Sequence, residues 1–337
     1  MILGERRWAV LKVIVEEYIS GAAPIASKTI ADRGGLNVST ATIRNDTAYL
    51  EQEGFVTHPH HSAGSVPTDR AYRCYLESIS QDALGPSMEQ HFEQMVGRTT
   101  DELERWLRLG ATLLARLVRN MVVITSPKAS SCRLKYMDLV SLHEFMALLI
   151  LVLYEARVRR HVLSFDRRVG QDELTMWANR LNAAYAGRTT GEIRAEREGL
   201  SAEEKQVAGH VADLIAAEDE TEYGEPWFEG LRLMLGQPEF AGSYAALDVL
   251  EALEGESWLR VICPRELDKG EVKAIIGEEN PDPALQSLSL IFSQYGVPER
   301  ASGIVGVIGP RRMDYARVIP ALNSLSMLLS DSVAEYI

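Results

Sequence analysis

VSTATIRNDTAYLEQE, residues Val38–Glu53, separates into two unlike faces when wound at about 100° per residue. Ile43, Thr47 and Leu50 fall on one side, the side that belongs to a core. Opposite them stand Ala41, Thr42, Asn45, Ala48, Tyr49 and Gln52, with Arg44 on the flank. That outer face is neutral or basic, rich in hydrogen-bonding groups and kept low by two alanines. Ser39 stands at the N-cap, where its hydroxyl satisfies the first free backbone N–H groups. Small residues permit close approach to a major groove, and Asn and Arg address base edges and phosphates. A capped surface helix has the same periodicity, so the neighbouring segments decide between the two readings.

Upstream, Trp8, Leu11, Val15 and Ile19, broadened by Val10, Ile14 and Tyr18, make Glu5–Ile19 an amphipathic helix stopped by Ser20-Gly21. Ser27 caps a short helix, Lys28–Arg33, which Gly34-Gly35 ends. Leu36-Asn37-Val38 then turns into the helix that begins at Ser39. Two helices joined by a tight glycine-containing turn, with a third packed before them, predict a helix-turn-helix. Downstream, Phe55–His58 reads as a strand, Pro59–Gly64 as a bend and Ser65–Pro67 as the return strand, so a hairpin stands beside the recognition helix as a wing. Thr68 caps a following helix over Asp69–Ile79.

The chain has 337 residues, 46% of them hydrophobic and 25% charged, which suits a soluble protein of two or three domains. The longest apolar run, Phe145–Tyr154, is too short to span a bilayer, so no membrane association is expected. Charged Glu5, Arg6 and Arg7 follow Met1–Leu3 at once and do not form a cleavable signal. Cys74, Cys132 and Cys263 are odd in number and far apart, the pattern of reduced thiols in a cytoplasm. The net charge of −13 is uneven. Residues 1–80 hold eight Lys/Arg against nine Asp/Glu, and both Arg33–Asn45 and Gly54–Thr68 are free of acids. DNA binding depends on the field at the contact. The balance therefore permits binding through the N-terminal region and opposes wrapping around the remainder.

Gln81–Ser87, with Gly85-Pro86, reads as a linker. Met88–Met121 is one or two helices with a core stripe at Leu103, Trp106, Leu107, Leu113, Leu114, Leu117 and Val118. Strand-type runs follow at Val122–Thr125, Leu134–Val140, Phe145–Leu153 and Arg157–Leu163, closely spaced as in an antiparallel sheet. The stretch Asp166–Gly242 is helical and acidic, with sixteen Asp/Glu against eight Lys/Arg, which reads as a solvated face. Strand-type segments resume at Trp258–Cys263, Val272–Ile276, Leu288–Phe292 and Ile304–Ile308. A sheet interrupted by a helical block suggests an insertion. Within that block Leu174, Trp177, Leu181 and Tyr185 recur at helical spacing, as in an apolar seam between two copies.

Catalytic and metal motifs are absent. His58, His60 and His61 lie around a proline on a short loop without helical i, i+4 spacing or a nearby cysteine, so no metal is expected. Gly303, Gly306 and Gly309 form GxxGxxG, which lacks the pattern of either phosphate-binding loop; glycines that let a strand pack closely account for it better. Pro310-Arg311-Arg312 leads the helix Met313–Leu329, whose N-terminus suits an anion as well as its arginines suit surface ion pairs. No cofactor and no enzymatic reaction is expected.

Ser39–Glu51 (STATIRNDTAYLE), Pro59–Leu76 (PHHSAGSVPTDRAYRCYL), Ala284–Gly296 (ALQSLSLIFSQYG) and Gly303–Ile319 (GIVGVIGPRRMDYARVI) together resemble HrcA, the bacterial heat-inducible transcription repressor family. The resemblance reaches both termini. It implies an α+β chain: a winged helix-turn-helix over 1–80, a GAF-like antiparallel sheet domain in two parts over 88–165 and 243–337, and an inserted, mainly helical dimerisation domain over 166–242. It also implies a homodimer on double-stranded DNA at an inverted-repeat operator, called CIRCE, upstream of chaperone operons, with dependence on the GroEL chaperonin. The contacts expected on DNA are Ser39, Thr40, Thr42, Arg44, Asn45 and Tyr49 from the helix, and His60, His61 and Ser65 from the wing. The chain departs from the family at Ser65, where an arginine is usual, and at Ala71, where a glycine is usual. A missing wing arginine removes a phosphate or minor-groove contact. The alternatives are a winged-helix regulator whose GAF-like domain senses a small molecule and, more remotely, an enzyme with an appended winged helix.

Overall fold

The computed structural model describes residues 3–35, 38–60, 63–79, 103–128, 131–154, 158–220, 224–240, 245–254, 267, 271–297 and 300–336. The expected linker Gln81–Ser87, the start of the Met88–Met121 helix, the strand Trp258–Cys263 and His61 lie outside these residues. The described elements mix helix and sheet, in two compact units. One comprises Met1–Ser126, Glu225–Gly296 and Gly303–Tyr336; the other comprises Pro127–Gly224 with Val297–Ser302.

The first unit begins with α1 (Glu5–Gly21), α2 (Ser27–Arg33) and α3 (Thr40–Gln52). A two-stranded antiparallel hairpin follows, β1 (Val56–Thr57) on β2 (Val66–Pro67), and then α4 (Asp69–Glu77). Val10, Leu11, Ile14 and Val15 bury one face of α1, which packs on α2 and α3, where Ile30, Ile43 and Leu50 are buried too. Three local expectations shift. Helix α1 runs through Gly21 and closes at Ala22, whose left-handed backbone (φ 50) returns an N–H to the Tyr18 carbonyl. Helix α2 starts at Ser27 itself, with Ala26 at the N-cap. The Thr68 hydroxyl does not cap α4; it donates to the carbonyls of Gly54 (2.7 Å) and Phe55 (3.0 Å), closing the hairpin instead.

The rest of this unit is built on five strands in the order β7 (Pro226–Glu229), β3 (Met121–Thr125), β10 (Ala301–Pro310), β9 (Leu288–Val297), β8 (Val272–Ile276). Helix α5 (Leu103–Val118) packs on β3 and on the final helix, α11 (Tyr315–Tyr336). Buried hydroxyls join that helix to β9: Ser293 donates to Ser326 (3.2 Å), and Ser330 accepts from Gly296 N–H (2.9 Å). The strand glycines act by close packing, as expected. A Cβ on Gly303 would sit 2.5 Å from the Tyr295 ring, and one on Gly306 would sit 2.5 Å from Phe292.

The second unit corrects the expected borders. Strands β4 (Leu134–His143), β5 (Met146–Leu153) and β6 (Val158–Ser164) form a separate antiparallel sheet, with β5 in the middle. Helices α6 (Gln171–Tyr185), α7 (Thr190–Ala195) and α8 (Ala202–Glu220) complete the unit. The interruption of the five-stranded sheet therefore spans Pro127–Gly224, not 166–242, and is mixed rather than mainly helical. The cause is non-local pairing: β3 finds its neighbours in β7 and β10, about 100 and 180 residues away, and none in β4. Residues 225–240 accordingly leave the insert, carrying β7 and α9 (Leu231–Leu235), and α10 (Ala245–Glu254) follows them before β8. The seam at Leu174, Trp177, Leu181 and Tyr185 is also corrected. All four are at most 3% exposed and pack with Leu139, Leu149 and Leu151 into the core of their own unit.

Candidate nucleic-acid interface

The solvent face of α3 is set from below by a charge. Asp46, 2% exposed, accepts from Arg6 at 2.8 and 2.9 Å and lies 3.5 Å from Arg7. The Arg6 hydrogen bonds hold the Asp46 carboxyl below the usual carboxylate range, burial opposing them in part and Arg7 adding to them. This fork ties α1 to α3 and cancels the only acid in the first three turns of α3. Arg7 also stacks 3.5 Å over the centre of the Tyr49 ring. Tyr49 is thereby half-covered, with a cation placed beside the helix.

At the N-terminus of α3 the Ser39 hydroxyl accepts from Thr42 N–H (3.2 Å) and bonds the Thr42 hydroxyl (3.0 Å). The expected cap is thus present, and it draws Thr42 inward to half-burial. Thr40, Ala41, Arg44, Asn45, Ala48 and Gln52 are exposed along one stripe. Among the described residues neither the Arg44 nor the Asn45 side chain has an ion-pair or hydrogen-bond partner; the Arg44 carbonyl accepts from the Thr47 hydroxyl (3.0 Å). Their donors and acceptors are available, and the positive end of the helix dipole lies one turn before them, at Thr40.

The hairpin beside it is fixed by a relay. Glu51, on α3, pairs with His58 Nδ1 (2.9 Å), and His58 Nε2 shares a proton with the Ser65 hydroxyl (3.2 Å). Ser65 also exchanges both backbone hydrogen bonds with Ile25 at 2.9 Å, where a Cβ on Gly64 would collide with the Ile25 backbone. Ser65 is 3% exposed. It lies at the turn end of the hairpin, across from His58, but pairing with Ile25 buries it, so it offers no side chain to a ligand, which corrects its place among the expected contacts. His60 is exposed at the turn.

Arg6 and Arg7 are what the sequence reading missed. The available signal was a pair of arginines in the first turn of an amphipathic helix, and a lone acid forty residues away on the core side of α3. Asp46→Ala is expected to lower stability by about 1–3 kcal/mol, measured by urea unfolding at pH 7. Because the folded carboxyl titrates low, its contribution is complete above pH about 4 and is lost as pH falls through the depressed value. The gap between wild type and variant should narrow in that window; a gap unchanged by acid would refute the assignment.

A second surface lies on the insert. The outer side of β4–β6 exposes Tyr136, Val140, Leu142, Val158 and Val162, with Leu148, Ile150 and Val152 half-exposed between them. Asp138, Ile150 and Arg160 are cross-strand partners in one row at its centre. Exposed apolar side chains gathered on one sheet face make it a candidate interaction face. A third feature is an open cavity of about 700 Å³ lined by Tyr18, Thr57, Tyr72, Phe240, Ser287 and Arg311, among others. Among the described residues no helix is long and apolar enough to cross a membrane.

Residues 104–319 match the family described as HrcA protein C terminal domain. A heat-inducible transcription repressor HrcA of Dehalococcoides mccartyi (strain ATCC BAA-2266 / KCTC 15142 / 195) is 38% identical over 334 residues, covering 99% of this chain and 97% of the relative. The repressor of the same name from Roseiflexus castenholzii is 34% identical over 342 residues, covering 99% and 95%. A crystal structure of a hypothetical protein at 2.2 Å resolution superposes over the whole of both chains with a TM-score of 0.66 at 23% identity, a likeness of fold.

Proposed function

Since the chain belongs to the HrcA family of heat-inducible transcription repressors, we propose that it represses as a homodimer, each protomer reading one half of an inverted-repeat operator of the CIRCE type through a winged helix. In this reading α1–α3 and the β1–β2 hairpin are the winged helix, α3 enters the major groove, and the five-stranded sheet with α5 and α11 is the GAF-like domain. The observation that carries it is the unpaired Arg44 and Asn45 on a low, capped and charge-cancelled helix face. Thr40, Thr42 and Tyr49 border that face; Ser39 serves as its cap, while Arg7 and His60 supply the flank, and His61, outside the described residues, is kept as a proposed contact on DNA.

The insert supplies the dimer, through its outer sheet face rather than its helices. Charge selects the geometry. A two-fold axis parallel to β5 lays β4 over the partner's β6, so that Asp138 meets the partner's Arg160 twice and Ile150 meets its own copy on the axis. An axis across the strands would stack Asp138 on Asp138. Two sheets packed in this way bury their apolar faces about 10 Å apart.

We further propose chaperone operons as the targets and a chaperonin requirement for active repressor. Incubating the full-length protein with fragments of its own genome and sequencing those retained tests the reading. Recovery of fragments sharing one inverted repeat upstream of chaperone genes is expected, and recovery without a shared sequence would contradict it. The second reading, a small-molecule sensor, draws on the cavity beside Tyr72 and Arg311; a metabolite of micromolar affinity in a thermal-shift screen would favour it.

A further inference from the structure

We infer that Asp69, Arg73 and Arg312 are positioning residues for operator recognition, forming a latch that holds the DNA-binding head at one angle to the sheet domain; this rests on the dimeric operator-binding reading. The head, α1 through α4, is docked on its body at two separate places. Asp69, the first residue of α4, accepts from the backbone N–H of Glu278 (2.9 Å) and from Arg311 (3.1 Å). It does so across Gly277, which has φ +52 and where any Cβ would overlap the Asp69 carboxylate. One turn on, Arg73 donates to the Ala274 carbonyl (2.8 Å) and forks onto Glu279, whose carboxylate also accepts from Ile276 N–H (2.9 Å). Between these two, Tyr72 packs on Tyr315 with ring centres 5.8 Å apart, both rings buried. At the second place Arg312, itself held by Glu239, donates to the Ile19 carbonyl at the end of α1 (2.9 Å).

None of these contacts involves α3 or the hairpin turn. The reading face stays free while α4 and the end of α1 are fixed by charged, directional bonds at two points, which together forbid rotation. Most of the partners are polar and partly solvated, unlike the apolar core within the head. Such a joint contributes orientation more than stability. Orientation matters because two recognition helices must meet half-sites separated by whole helical turns of about 10–10.5 base pairs. A rigid joint makes affinity sharply dependent on half-site spacing, and a released joint lets one head follow its half-site to another spacing.

The test uses full-length protein and the inverted repeat recovered from genomic fragments, rebuilt with spacers from five base pairs shorter to five longer. The variants are Arg73→Gln with Asp69→Asn, on the head, and Glu279→Gln alone, on the body, where it cannot disturb the fold of the head. Wild type should lose roughly a hundred-fold in affinity on changing the spacer by half a helical turn, and both variants less than about ten-fold, with binding to an isolated half-site unchanged. Variants that keep the wild-type spacing profile overturn the latch, as does a parallel loss on the isolated half-site, which would mean that these residues serve the fold of the head. A wild type that prefers its operator yet tolerates every spacing also overturns it. A wild type that binds operator and scrambled duplex alike fails at the earlier step, the operator-binding reading.

Discussion

Ile150→Asp is expected to leave a folded monomer whose affinity for an inverted-repeat operator is lower by roughly a hundred- to ten-thousand-fold, with non-specific binding nearly unchanged. A recognition helix of this length reads only a few base pairs, and one winged helix alone rarely reaches specific affinity. Tying two heads together makes the second contact intramolecular, and the loss of that advantage sets the size of the effect. Ile150 is the residue to change because it lies between Asp138 and Arg160 in the central row of the exposed sheet, where the proposed axis stacks it on its copy. Two like charges there would face each other in a desolvated centre. The charge pair gives a sharper check of the axis. Asp138→Arg alone should weaken the dimer by placing arginine against arginine, and Asp138→Arg with Arg160→Asp should restore it. Sedimentation equilibrium measures both. A dimer indifferent to Ile150→Asp would move the interface off this sheet, and a double exchange that fails to rescue would rule out the parallel axis.

Asn45→Ala should lower discrimination between operator and scrambled duplex by about 1–3 kcal/mol, the worth of one good base contact, or roughly five- to a hundred-and-fifty-fold. Asn45 is exposed on the same stripe as Arg44 and has no partner among the described residues, so its amide is free to address a base edge. Arg44→Ala is the contrast. If that guanidinium meets a phosphate, its removal should weaken all duplexes alike and reduce the slope of log affinity against log salt by about one counterion. Equilibrium titrations on both duplexes at several salt concentrations separate the two roles. An unchanged ratio for Asn45→Ala would remove it from the readers.

The head was largely legible because its signals are local. Ile43, Thr47 and Leu50 fall at helical spacing, Ser39 caps the helix three residues before Thr42, and Pro59, Gly64 and Pro67 of the hairpin lie close together in sequence. Asp46 escaped because the partner that makes its burial affordable is Arg6, on another helix. Ser65 was misplaced for a similar reason: its burial depends on pairing with Ile25. The insert was recognisable as an interruption, but its borders were not. They are set by β3 choosing β7 over β4, and strand pairing across a hundred residues leaves no local mark. The stripe Leu174, Trp177, Leu181, Tyr185 shows the limit of periodicity, since a helix face has the same spacing whether it packs on its own sheet or on another copy. Alternation in β4 and β6 carried the missing clue. Tyr136, Val140, Val158 and Val162 are apolar on the side that solvent should wet.

The most direct measurement is a protection footprint of the wild-type protein on a fragment recovered from its own genome, titrated from below to above saturation. The account predicts that two half-sites related by a dyad are protected together at one protein concentration, with two protomers per duplex. A scrambled duplex should bind roughly a thousand-fold or more weakly. Uniform coverage without preferred sequence, or protection of a single unrepeated site by one protomer, would contradict it.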